Sequence, residues 1–267
     1  MNILVNEVAM EIEDGTPLFA LRDQIKSDAD VVVLNGAPVA VDQALTEGDH
    51  AVFIQRGETP DRETLEALMM ARHSPGVHEK VKQATVGIAG LGGLGSAIAV
   101  ALARIGVGRL ILADFDVVEP SNLNRQQYFV DQMGHYKSEA LRDNLQRINP
   151  YVQVDSHTIM LNPENVPDLF REVDVMVEAF DKAEMKAMIA ESFGGHFPKT
   201  PLVMASGLAG YEPSNTIETR RVGAHIVMVG DLVSAARQGM GLMAPRVGVA
   251  AHHQANAVLR LLLGEEP

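Results

Sequence analysis

The sequence predicts an α/β protein in two parts: a mostly parallel sheet with helices on both faces, and before it a small α+β unit with a mixed sheet. Three observations carry this reading. From Thr85 onward, short apolar runs alternate with helical patterns, which is the signature of repeated strand–helix–strand units. A glycine-rich turn, Gly90-Leu91-Gly92-Gly93-Leu94-Gly95, joins the first of those strands to the first helix. Residues 1–57, in contrast, crowd several strand-like runs, sharp turns and one helical run into a short span.

Within 1–57, Ile3–Asn6 and Ala9–Glu13 read as strands, Asp14-Gly15 as a turn, and Thr16 as the cap of an amphipathic helix reaching Ser27. Val31–Leu34 runs into Asn35-Gly36, Val39–Val41 follows, Glu47-Gly48-Asp49 turns the chain again, and Ala51–Ile54 closes the unit. One helix laid across a small mixed sheet accommodates that order. The segment holds only Arg22, Lys26 and Arg56 against ten carboxylates, a charge asymmetry that marks a separate module. Residues 58–84 read as a connector, helical at 60–72 and 77–83 and broken by Ser74-Pro75-Gly76. Residues 85–267 form the larger domain. Its strands are expected at 85–89, 110–113, 152–156, 173–177 and 202–205, and its helices at 94–105, 137–148, 164–171 and 182–193. Ile226–Val229 adds a later strand and Val247–Leu263 a terminal helix.

Composition narrows the function. Apolar residues are 46% and charged residues 21%, the balance of an ordinary globular chain with no sign of disorder. A net charge of -13 sets a repulsive field against phosphate backbones and anionic lipid, which argues against extended nucleic-acid binding while leaving room for a local basic pocket. There is no cysteine, so disulfides, thiolate zinc sites and any thioester or persulfide on this chain are excluded, and no zinc is expected. The start, MNILVNEVAMEIEDG, alternates apolar and acidic residues and does not read as a signal peptide. The longest apolar window, 86–113, is interrupted by glycines, Arg104 and Arg109, which is wrong for a membrane span. A cytoplasmic location is expected.

The glycine turn follows a buried-looking strand and opens a helix, so backbone N–H groups and the helix dipole converge there on an anion such as a nucleotide phosphate. Gly90, Gly92, Gly93 and Gly95 let the phosphate approach where a Cβ would hold it off; tight packing of strand on helix is the competing, purely structural explanation. The next strand ends at Asp114, placed to accept hydrogen bonds from a ribose. Then comes Asp114-Phe115-Asp116-Val117-Val118-Glu119-Pro120-Ser121-Asn122-Leu123-Asn124-Arg125-Gln126. A redox dinucleotide site has no use for Asn, Arg and Gln crowded behind the ribose carboxylate, whereas a triphosphate site does. Arg125 offers a permanent fork to phosphate oxygens, Asn122 and Gln126 add neutral donors, and Lys137 opens the next helix as a point charge. Asp181 follows the strand at 173–177, at the carboxyl edge where open α/β sheets bind ligands; one carboxylate there suits Mg²⁺ shared with phosphates.

With these residues in that order, the region 70–264 resembles the ThiF, MoeB and HesA-like adenylyltransferases, relatives of ubiquitin-activating enzymes. The resemblance implies a Rossmann-like fold in which the glycine turn, Asp114 and Asp116 bind ATP, Asn122, Arg125, Gln126 and Lys137 contact its phosphates, and Asp181 coordinates magnesium. It also implies a homodimer, with an arginine lent by the partner protomer from just before the first strand; Arg72 is the candidate. Residues 1–57, through MNILVN, DVVVLNG at Asp30–Gly36, Val41-Asp42 and Glu47-Gly48-Asp49, resemble the ThiS sulfur carrier, a β-grasp, ubiquitin-like domain. A working carrier ends in a free Gly-Gly carboxylate, but here Arg56-Gly57-Glu58 continues into the connector, so docking, dimerisation or regulation is expected of this domain.

The resemblance thus implies ATP-dependent adenylation of the C-terminal Gly-Gly carboxylate of a separate sulfur-carrier protein, with ThiS and thiamine biosynthesis favoured by the fused domain. A MoaD-like carrier, a modified tRNA base, a nicotinamide-dependent oxidoreduction and a non-catalytic scaffold are the alternatives. The oxidoreductase leaves Arg125, Lys137 and Asp181 unexplained, and the negative charge disfavours tRNA. The adjacent His252 and His253 point to different faces of the terminal helix and read as structural, His73 is the histidine to watch for a nucleotide contact, and Gly207–Gly210 could admit a Gly-Gly tail.

Overall fold

Ile3 and Val5 alternate with outward-facing neighbours, and this period of two buries one face of the first hairpin. In the computed structural model, which describes residues 1–6, 8–57 and 62–267, β1 (Asn2–Val5) pairs antiparallel with β2 (Val8–Glu11). Helix α1 (Leu18–Ile25) turns Leu18 and Leu21 into the core of a five-stranded mixed sheet. Its other strands are β3 (Val31–Leu34), β4 (Ala37–Pro38) and β5 (His50–Ile54), in the order β2-β1-β5-β3-β4 with β1 parallel to β5. Two local expectations are corrected here. Thr16 does not cap α1: its hydroxyl donates to Glu13 O, Pro17 holds the N-cap position, and the Phe19 N–H is satisfied instead by Asp42 Oδ1 (2.8 Å). The strand expected at 39–41 lies at 37–38, because the two-residue turn Asn35-Gly36 brings Ala37 opposite Leu34.

Compactness divides the chain at Glu79 and Lys80. The stretch expected as a connector supplies the N-terminal unit with α2 (Arg62–Met70), where Leu68 and Ala71 pack with Val33 and Val52; residues 58–61 lie outside the described residues. Helix α3 (Val77–Val81) crosses the division.

In the C-terminal unit the expected alternation is present: β6 (Thr85–Ala89), α4 (Gly93–Arg104), β7 (Arg109–Ala113), α5 (Lys137–Ile148), β8 (Gln153–His157), α6 (Val166–Leu169), β9 (Val175–Glu178), α7 (Ala183–His196) and β10 (Leu202–Ala205). Beyond these come β11 (Glu218–Arg221), β12 (Ile226–Gly230) and α8 (Ala244–Leu263). The helix expected at 164–171 is a single turn, and β9 starts two residues later than expected because Asp174 is taken up in accepting the Thr85 N–H (2.8 Å). The sheet order is β11-β12-β10-β9-β6-β7-β8; every pairing is parallel except β11 on the edge, a strand the sequence reading did not foresee.

Near-continuous apolar strands such as Leu110–Ala113 and Val175–Val177 are what a sheet covered on both faces requires. On one side Phe170, Ile189 and Phe193 from and around α6 and α7 close over Ala89, Ile111, Met176 and Met204. On the other, α4 lies against α5 and α8, and small residues, Ala97 and Ala99 on α4 and Ala250 and Ala251 on α8, allow a close approach. The strand order turns back at β6, which has β7 on one side and β9 on the other, so the chains leaving β6 and β9 diverge and open a crevice at their carboxyl ends.

Candidate nucleotide site

That crevice is a cleft of about 660 Å³, and its floor is the glycine turn. Gly90 has φ +88, a conformation natural to glycine, and its N–H donates to Ala113 O at 2.9 Å. A Cβ at Gly95 would lie 1.9 Å from Gly90 O, so this glycine lets α4 sit close on the strand and does not itself line the cleft. At Gly92, the N-cap of α4, a Cβ would meet only Gln126 Nε2 at 3.8 Å; the space over the helix start is open and can take an anion.

Asp114 stands at the end of β7 and lines the cleft, but much of its carboxylate is already engaged: Oδ2 accepts Leu91 N–H (2.7 Å) and Oδ1 accepts Asp116 N–H (2.8 Å). Burial pushes its pKa up against those two hydrogen bonds and the charge of Lys137. Asp114 therefore shapes the glycine turn, and its carboxylate has lone pairs beyond those two bonds. Asp116 accepts Lys137 Nζ at 2.9 Å; this lysine, the first residue of α5, is 6% exposed and keeps ammonium protons free on the cleft side.

The segment after Asp116 behaves unevenly. Arg125 and Gln126 line the cleft. Arg125 is braced by Ser121 O (3.2 Å) and Asn124 Oδ1 (2.8 Å), and the buried Gln126 Oε1 has no partner, a polar atom left for a ligand. Asn122 is not brought to the cleft. Its side chain accepts Glu119 N–H (3.0 Å) in a reciprocal cap of a short 3₁₀ turn, so this expected phosphate donor is a local fastener. Ser96 and Tyr128, which the sequence reading did not single out, tie the same segment to the glycine turn: Ser96 Oγ accepts Gln127 N–H (3.1 Å) and the Tyr128 hydroxyl donates to Leu91 O (2.8 Å).

Asp181 lies across the cleft, exposed, in the turn between β9 and α7. Among the described residues no group of three ligating side chains could cage a metal; Asp181 offers a single exposed carboxylate, chemistry that fits a hydrated Mg²⁺ shared with phosphate oxygens. Glu178 and Lys186, unremarked in the sequence, meet at 2.8 Å beside it. The far wall is made by Ser206–Ala209 after β10 and Ser234–Ala236 after β12, all small side chains but Leu208. The second loop is held by Asp231, which accepts from Ser234 Oγ (2.5 Å) and from the buried Arg246 (2.7 Å). Arg72 belongs to the N-terminal unit and is exposed there. His73, also of that unit, is held below the ordinary histidine range by burial and by His78. His253 is bonded to Thr219 (3.0 Å) and His252 to Gly248 O (2.8 Å) within the structure. Among the described residues no helix is long and apolar enough to cross a membrane.

The geometry thus gathers donors (backbone N–H groups at a helix start, a guanidinium and an ammonium) and acceptors (the unpartnered Gln126 Oε1 and a carboxylate) around one crevice, a combination that fits a nucleoside triphosphate. Residues 65–267 match the ThiF family, and residues 1–57 match ThiS-like ubiquitin. The molybdopterin-synthase adenylyltransferase of Escherichia coli K12 is 33% identical over 192 residues, 70% of this chain and 76% of that protein. The sulfur carrier protein adenylyltransferase of Thermus thermophilus is 32% identical over 126 residues, 47% of this chain and 46% of the relative. The probable adenylyltransferase/sulfurtransferase MoeZ of Mycobacterium tuberculosis is 36% identical over 115 residues, and the matched part spans only 29% of MoeZ. Among solved structures, the Escherichia coli tRNA N6-threonylcarbamoyladenosine dehydratase in complex with ATP superposes with a TM-score of 0.69 at 20% identity, covering 78% of this chain and 98% of that one, which establishes the shared fold. With a family match over residues 65–267 and a relative matched over most of its length, the chain belongs to the ThiF family and carries a ThiS-like domain at its N-terminus.

Proposed function

We propose that this protein is an ATP-dependent adenylyltransferase that activates the C-terminal carboxylate of a separate ubiquitin-like sulfur carrier. The observation that carries the reading is the single cleft into which Gly92, Arg125, Gln126, Lys137 and Asp181 all open. A carrier carboxylate oxygen attacks the α-phosphorus of ATP, the bond from that phosphorus to the bridging oxygen breaks, and pyrophosphate leaves with the electron pair. The carboxylate is ionised at neutral pH, so no general base is needed. The residues act by position and charge: the N–H groups at the start of α4 hold phosphate oxygens, Arg125 and Lys137 neutralise the charge that grows toward pyrophosphate, and Asp114 takes the ribose. Asp181 would hold a magnesium ion, which supplies further charge neutralisation on the phosphates.

The wall of Ser206–Ala209 and Ser234–Ala236, small side chains apart from Leu208, supports a glycine-ended tail as the acceptor, since a narrow slot suits an extended Gly-Gly segment. The ThiS-like domain favours ThiS as the carrier. It has no free end of its own to adenylate, because the chain continues past Gly57, and it serves docking, dimerisation or regulation. The active assembly is a homodimer in which Arg72 of one protomer completes the site of the other. The test is ATP–pyrophosphate exchange with Mg²⁺, with and without a Gly-Gly-terminated carrier. Exchange that requires the carrier and disappears in Asp181→Ala is expected; absence of exchange with any carrier, together with binding of a nicotinamide dinucleotide, would overturn the reading in favour of oxidoreduction.

A further inference from the structure

The ladder between β9 and β10 stops at the pair Val177 and Val203, where the strands splay to open the cleft. Past that point the backbone groups of Ala205 that face β9 have no strand partner, and a buried group left unsatisfied is costly. Side chains take over. Glu178, fully buried at the end of β9, accepts the Ala205 N–H on Oε2 (3.4 Å) and the Phe180 N–H on Oε1 (2.7 Å). Lys186, from α7, donates to the same Oε1 (2.8 Å) and to Ala205 O (3.0 Å). Behind them Gln254 of α8, itself fully buried, donates to Glu178 O (3.1 Å). One ion pair therefore replaces the missing rungs of the ladder and joins two loops: the turn carrying Asp181 and the lip Ser206–Ala209. Lys186 also lines the cleft, so an ammonium proton beyond those given to Glu178 and Ala205 can face a ligand there.

We propose that Glu178 and Lys186 are positioning residues for adenylation, setting the spacing between the Asp181 turn, which serves the nucleotide, and the Ala205–Ala209 lip, which receives the incoming carboxylate. This rests on the function proposed above. Positioning of two reactants is sensitive to displacement, a shift of about 1 Å costing on the order of 100-fold in rate. Removing one partner also leaves a buried charge alone, so rate and stability must be separated.

Three variants do this: Lys186→Met, Lys186→Arg, and the double variant Glu178→Gln with Lys186→Met, which removes the lone buried charge. Melting temperature, kcat and ATP KM in carrier-dependent pyrophosphate exchange, and hydrogen exchange at the Phe180 and Ala205 amides are measured for each. Lys186→Met is expected to lower kcat by about 100-fold with KM for ATP little changed, and to lose protection at both amides together. Lys186→Arg should restore most of the rate, and the double variant should regain melting temperature without regaining kcat. Recovery of kcat in step with stability, or unaltered protection at both amides in Lys186→Met, would overturn the inference. A wild type that performs no exchange with any carrier refutes the proposed function instead, and the amide protection then decides the coupling of the two loops on its own.

Discussion

A methyl group at residue 95 would stand 1.9 Å from Gly90 O, whereas one at residue 92 would meet nothing nearer than Gln126 Nε2 at 3.8 Å. The two glycines of one turn therefore answer to different constraints, and substitution separates them. Gly95→Ala should force α4 away from β6, lowering the melting temperature by an amount on the scale of about 1–3 kcal/mol of overpacking and weakening nucleotide binding with it. Gly92→Ala should leave melting nearly unchanged and weaken ATP, because the added methyl takes the space that phosphate would fill. Thermal melts with and without ATP check both; equal loss of stability in the two variants would mean that the turn is a packing device and nothing more. The same scale shows why a motif can mislead. Asn122, Arg125 and Gln126 sit together in sequence as apparent phosphate donors, but Asn122 turns back to cap Glu119 N–H while its neighbours face the cleft. A run of residue types gives the available chemistry, and the backbone direction of a short 3₁₀ turn decides which side chains can use it.

At the scale of elements, α8 braces one wall of the cleft through Arg246. Buried at 4% exposure, it donates to Glu212 O (2.9 Å), Pro213 O (3.1 Å) and Asp231 Oδ2 (2.7 Å), and so fastens the first turn of the helix to the loop after β12. That loop is strained at Leu232, φ +63, and its course depends on the Asp231 carboxylate. Burial pushes this carboxyl up, but the hydroxyl and N–H of Ser234, the N–H of Val233 and Arg246 outweigh it and hold the pKa at about 2. A folded pKa below the unfolded value of about 4 means that the group stabilises the fold above pH 4 and that this stabilisation is lost as pH falls toward 2. Melting followed by circular dichroism should fall across that window in the wild type; Asp231→Asn should melt lower at pH 7 and lack that part of the acid slope. An unchanged slope would show that the loop does not rely on the charge. The principal alternation of strands and helices was legible because short continuous apolar runs mark strands covered on both faces, as at β6, and period-3.6 patterns mark the helices that cover them, as at α5. β11 was not, since Glu218-Thr219-Arg220-Arg221 has no apolar alternation and owes its pairing to β12 alone. Glu178 with Lys186, and Asp231 with Arg246, were equally hidden, since each pair joins residues that no periodicity relates.

For the whole molecule, charge separates two acceptors that one fold can serve. The ATP-bound tRNA dehydratase shares the fold at a TM-score of 0.69, but a shared fold at 20% identity leaves the acceptor open. A tRNA presents many phosphates, and proteins that bind it collect lysine and arginine to displace counterions; this chain carries 22 cationic side chains against 35 carboxylates. The cations lining the cleft are few, Arg125, Lys137, Lys182 and Lys186, and two of them are paired, Lys137 with Asp116 and Lys186 with Glu178, which suits one triphosphate and not an extended backbone. A small carrier delivering a narrow tail needs no such basic surface. Fluorescence anisotropy with labelled tRNA at about 150 mM salt should therefore give no saturation up to about 10 μM, weaker than the upper end of ordinary non-specific binding. A carrier ending in Gly-Gly should saturate when ATP and Mg²⁺ are present. Saturable tRNA binding that weakens steeply with added salt would show that a local basic track outweighs the net charge, and the acceptor would then be a nucleic-acid base.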